Sequence, residues 1–99
     1  MYHAPMTPAQ LLETVRIYEK SFRERTGTSA RFPSDQLLGR ATWAKFHKHI
    51  LWMTEQVPKL IDEGKIEKSM RWLGFIQGAL WARGLVSIGD LRAQNGKDP

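Results

Sequence analysis

Apolar residues recur along most of this chain in steps of three and four, the spacing of helices that each bury one face. In the first such segment Leu11, Leu12, Val15, Tyr18 and Phe22 share a face, and Arg16, Lys20 and Arg23 lie opposite. Thr7 stands as the N-cap, Pro8 occupies the first helical position, and Gln10 completes a capping box. The pattern predicts a helix ending near Arg25, with Gly27 as its left-handed closing residue.

Residues 27–33 read as a linker, extended at Phe32 because Pro33 follows it. Ser34 and Asp35 are placed to cap a short turn through Leu37 and Leu38, which Gly39 interrupts. A second helix opens at Thr42 and carries Trp43, Phe46, Ile50, Met53, Val57 and Leu60 on a heptad-like seam. Pro58 lies within that pattern without an amide hydrogen, so a kink is expected there. Asp62-Glu63-Gly64 ends the segment.

A third helix starts near Lys65, with Ile66, Met70, Leu73, Ile76 or Gln77, and Leu80 as its seam. So short a connection makes the second and third helices antiparallel neighbours. Gly84 closes the third helix, and Ser87 with Asp90 forms a capping box for a short last helix to about Gln94. The expected fold is all-α: an antiparallel hairpin of two long helices, an N-terminal helix packed across it, and a short C-terminal helix. One domain is expected over residues 1–99, flexible at 1–6 and 95–99.

With 99 residues, such a domain buries about 60–65% of its unfolded surface, leaving little stability to spare and making self-association a natural supplement. The chain has no cysteine, which excludes disulfides and thiolate metal sites and fits a reducing cytoplasm. Met1-Tyr2-His3-Ala4-Pro5 lacks the apolar core of a signal peptide. The most apolar run, from Leu73 to Val86, contains Gln77 and Arg83 and is too short to span a bilayer, so no membrane partner is expected. The net charge of +5 favours anionic partners.

Gly74, Gly78 and Ala82 make a small-residue stripe on the third helix. Glycine inside a helix costs about 1 kcal/mol against alanine, so a close approach by another backbone is expected. That backbone belongs to the second helix, to a second subunit, or to neither if a ligand lies there. Trp43 and Trp81 sit near the seams and are expected in the core. Trp52 and Trp72 point away from them, Trp52 beside Lys45 and Lys48, Trp72 beside Lys68 and Arg71. Indoles interleaved with cations suit stacking on bases while pairing phosphates. The alternative is packing against the first helix or an oligomer partner.

His47 and His49 stand about 200° apart on a helix and cannot chelate one ion together. Asp62, Glu63 and Glu67 cluster at the hairpin turn, where solvated carboxylates are expected. No phosphate loop, nucleophile elbow or nucleophile–base pair is present, so neither catalysis, a cofactor nor a metal is expected.

The stretch from Lys68 to Trp81 (KSMRWLGFIQGALW), with His49-Ile50-Leu51-Trp52-Met53 before it and Ser87-Ile88-Gly89-Asp90-Leu91-Arg92 and Asn95 after it, resembles a motif in small proteins of tailed bacteriophages and prophages. The resemblance covers roughly residues 45–95. It implies a phage accessory protein acting in the host cytoplasm by stoichiometric binding, and it carries no catalytic residues. In size and character the chain is similar to the small helical sponges with which phages sequester cyclic nucleotide immune signals.

The expected function is therefore anti-defence sequestration of an anionic nucleotide by a homo-oligomer. Tyr18, Trp52 and Trp72 would stack on bases, and Arg16, Lys20, Arg23, Lys45, Lys48, Lys68 and Arg71 would meet phosphates. The alternatives are direct inhibition of a host or defence protein and non-specific nucleic-acid binding.

Overall fold

Four helices form where an amphipathic stripe is followed by a stop signal: α1 (Pro8–Thr26), α2 (Trp43–Asp62), α3 (Ile66–Ala82) and α4 (Ile88–Gln94). The computed structural model describes residues 6–37, 39 and 42–94, and no strand occurs among them. Residues 1–5 and 95–99, expected to be flexible, and Leu38 of the expected turn lie outside the described residues. Met6, counted with the flexible end, instead packs against the core.

The helix ends are closed by the residues that predicted them. Gln10 donates its N–H to Thr7 Oγ1 at 3.1 Å, and Thr7 donates its own to Gln10 Oε1 at 2.8 Å. Ser87 and Asp90 repeat this reciprocal box at 2.9 and 3.0 Å. Thr42 Oγ1 accepts from Lys45 N–H at 3.3 Å. Gly27 takes φ 76°, a left-handed value that costs glycine nothing, and its N–H returns to the Arg23 carbonyl. Between α2 and α3 the chain reverses within Glu63–Lys65, with Gly64 at φ 77°. Pro58 stands inside α2, which continues through it to Asp62.

The core joins Leu11, Val15, Tyr18 and Phe22 of α1 to Phe46, Ile50, Leu51, Met53 and Val57 of α2 and to Leu73, Ile76 and Leu80 of α3. Helix α1 packs against both arms of the hairpin and most extensively against α2. This explains two departures from the expected seam. Leu51 and Thr54 are fully buried because α2 carries α1 on one side and α3 on another, while Leu60, near the hairpin end, is half-buried. The buried hydroxyls are satisfied locally: Thr54 Oγ1 donates to the Leu51 carbonyl at 2.7 Å, and Ser69 Oγ to that of Lys65 at 2.8 Å.

Two expectations fail. Trp43 and Trp81 are not core residues; each leaves 54% of its surface exposed. Both sit at the edge of their seam, where the periodicity places them only marginally and the hairpin does not reach round to cover them. The small-residue stripe does not receive α2 either. A Cβ built on Gly74 or Gly78 would meet nothing within 4 Å, so the stripe faces outward.

Candidate functional site

After α1 the linker turns back along the first half of α2. Ala30 donates its N–H to the Lys48 carbonyl at 3.2 Å, and Ser29 Oγ donates to Glu55 Oε1 at 2.6 Å. Lys48 Nζ donates to Thr28 Oγ1 at 2.9 Å and reaches the carbonyls of Thr26 and Thr28. Phe32 donates its N–H to His49 Nδ1 at 3.0 Å. The linker so pinned forms one wall of an aromatic trough; α2 and α3 form the rest.

The trough has two lobes. The first, of about 470 Å³, lies among Arg31, Phe32, His49, Trp52, Trp72 and Phe75. The second, of about 290 Å³, adds Trp43, Phe46, Ala79 and Arg83 and shares Phe32, Gln36, His49 and Phe75 with the first. Within the first lobe His49 stacks on Trp52 with ring centroids 5.6 Å apart and 25° between planes. Trp52 in turn meets Trp72 at 5.7 Å. Cations ride on both indoles: Arg31 Cζ is 5.2 Å from the Trp52 centroid and Lys68 Nζ is 5.8 Å from that of Trp72. In the second lobe Arg83 Cζ lies 3.9 Å from the Trp43 centroid.

Charge in the trough is unbalanced. Neither Arg31 nor Arg83 forms an ion pair with a described carboxylate, and Arg83 Nε is buried without a hydrogen-bond partner. Burial, and then the Arg31 guanidinium, push His49 below its ordinary pKa of 6.5. Burial, Arg83 and Arg25 do the same to His47. Both imidazoles are therefore neutral at neutral pH, and His49 keeps the lone pair that holds Phe32.

The residues expected to bind ligand do not converge. Trp52 and Trp72 line the trough, and Lys68 lies over Trp72 without lining either lobe. Tyr18 is a correction: it is 5% exposed, its hydroxyl donates to Gln94 Oε1 and accepts from Gln77 Nε2 at 3.2 Å, and its ring cannot stack on a base. It belongs to the α1 face that the hairpin covers. Lys48 is occupied by the linker, so its expected phosphate contact is replaced by carbonyl and hydroxyl acceptors.

Arg16, Lys20 and Arg23 line a shallow depression on α1 together with Glu19 and Glu24, away from the trough. Arg23 is there paired with Glu19 and Glu55, both at 2.8 Å. Lys45 and Arg71 are exposed. The small residues expected to pack against another helix or a second subunit are exposed as well: Gly74 and Gly78 flank the trough residue Phe75 in sequence, and Ala82 lines the second lobe.

Arg31, Phe32, His49, Phe75 and Arg83 complete the trough and were not singled out as ligand-binding by periodicity. Arg31-Phe32-Pro33, a cation and an aromatic in an extended segment, was the available signal for the linker wall. Nothing in the spacing of Arg83 pointed to Trp43, some forty positions earlier.

At the hairpin turn Asp62, Glu63 and Glu67 are exposed, and Glu63 pairs with Lys65 at 3.1 Å. Among the described residues no group of three or more metal-ligating side chains gathers, and no helix is long and apolar enough to cross a membrane. Comparison of the chain with protein-family models, curated proteins and solved structures found no match.

Proposed function

We propose that the protein is a non-catalytic binding module that takes an anionic nucleotide into the first lobe of the trough. One observation carries this reading: two adjacent indoles, Trp52 and Trp72, lie in an open concavity with an unpaired guanidinium and an ammonium over them. A nucleobase that takes the place of Lys68 over the face of Trp72 gains stacking worth about 1–3 kcal/mol. Arg31 and Lys68 then swing from the ring faces to the phosphate, Arg31 with a bidentate option. Stoichiometric sequestration of a cyclic nucleotide signal in a host cytoplasm, the role implied by the resemblance to phage accessory proteins, is the biological form of this activity that we favour.

Titration calorimetry against nucleotide monophosphates and cyclic nucleotides, followed in parallel by tryptophan fluorescence, tests it. Saturable binding that Trp72→Ala and Arg31→Gln both weaken is expected. Absence of heat and of fluorescence change across the panel at millimolar ligand removes the reading.

A second reading, inhibition of a host or defence protein by direct contact, is favoured by the exposure of Trp43, Phe75 and Trp81, large apolar side chains of the kind that anchor protein interfaces. Stoichiometric recovery of one protein partner from host lysate, lost in Phe75→Ser, would support it over the first.

A further inference from the structure

We infer that the second lobe, closed by Trp43 and Arg83, receives a second base, so that the preferred ligand is a dinucleotide. The inference rests on the nucleotide reading of the first lobe and goes beyond it in fixing the ligand's size and number of rings.

Three observations support it. The two lobes are continuous, because Phe32, Gln36, His49 and Phe75 line both. Each lobe repeats the same pair of groups, an indole with an arginine over it: Trp52 with Arg31 in the first, Trp43 with Arg83 in the second. Neither arginine is neutralised by a described carboxylate, and Arg83 keeps a buried Nε–H without an acceptor.

The unpaired Nε–H is costly and is covered in the free chain, so Arg83 must leave the face of Trp43 to meet a phosphate oxygen, the acceptor its guanidinium fork fits best. A ligand with one ring fills one lobe and leaves the other arginine unanswered. Two bases joined through phosphate fill both lobes and bring anionic oxygens to the shared middle, between the lobe that Arg31 lines and the lobe that Arg83 lines. Linking two binding events in one molecule raises affinity without any new kind of contact.

The test uses the full chain and three probes: adenosine monophosphate, the linear dinucleotide of adenosine, and cyclic di-adenosine monophosphate, with the guanine series run alongside. Calorimetry should show at least one dinucleotide binding about tenfold or more tighter than its mononucleotide. Arg83→Gln should lower dinucleotide affinity to the mononucleotide level while leaving mononucleotide affinity unchanged. Trp43→Ala, at a position 54% exposed, should do the same, with circular dichroism checking that the helices persist.

Dinucleotides no tighter than mononucleotides, or a preference that survives both variants, overturn the inference and leave the first-lobe reading standing. Failure of every probe to bind overturns that reading, and the inference with it.

Discussion

Phe32 and His49 hold each other twice: the backbone N–H of one donates to Nδ1 of the other at 3.0 Å, and their rings meet edge to face with centroids 6.5 Å apart. Because His49 also stacks on Trp52, one imidazole ties the linker wall to the aromatic floor. His49→Ala should therefore loosen the linker before it unfolds the helices. We expect faster amide exchange at Ala30 and Phe32, with a stability loss of about 1–2 kcal/mol. Unchanged exchange in the linker would show that Lys48 and Glu55 suffice to hold it.

Acid should act on the same point. Both His47 and His49 are held below 6.5 by burial and by neighbouring arginines, so the unfolded chain binds protons more readily than the folded one. Stability is then full above 6.5 and falls as pH drops through 6.5 towards the lower folded values, flattening below them. Protonation also removes the acceptor for Phe32 and sets a new cation beside Arg31. Urea midpoints measured between neutral and mildly acidic pH should decline, and the decline should shrink in His49→Gln.

Gly74→Ala and Gly78→Ala separate two uses of the outward face of α3. A methyl group at either site meets nothing within 4 Å in the single chain. Each substitution should thus raise stability by about 0.5–1 kcal/mol through helix propensity alone. Thermal melting combined with light scattering checks this. A lower melting temperature with loss of a dimer would mean that a second subunit needs the bare backbone.

Tyr18→Phe removes a hydroxyl that bonds both Gln77 and Gln94 inside the α1–α3–α4 junction. A loss of about 1–2 kcal/mol is expected, with α4 released from α1 first. Nucleotide binding at the trough should be untouched, which distinguishes this tyrosine from Trp72. Chemical denaturation and calorimetry on the same sample give both answers.

The fold was legible because its instructions are local. Thr7-Pro8-Ala9-Gln10, the Thr42 cap, Gly64 and the Ser87–Asp90 box each announce a boundary within a few residues, and all of them stand where the spacing placed them. The trough was only half legible. Periodicity correctly put Trp52 and Trp72 off the main seam, but it could not foresee that Lys48 would be consumed by Thr28, or that Tyr18 would turn inward to Gln77. Those outcomes depend on how α1 and its linker cross α2, which no single helix encodes. Arg83 escaped for another reason: it caps α3 at the open end of the hairpin, where the antiparallel arms bring it to Trp43, the first residue of α2.

The helix-opening bonds of Thr7, Thr42 and Ser87 each span three residues, so they need no distant part of the chain to be in place. Helix starts fixed in this way are set early, and helical domains rich in such near-neighbour bonds collapse in microseconds to milliseconds. The linker's bonds to Lys48, His49 and Glu55 instead join residues 17 to 26 positions apart, so the trough gains its outer wall only where two separate stretches of the chain come together.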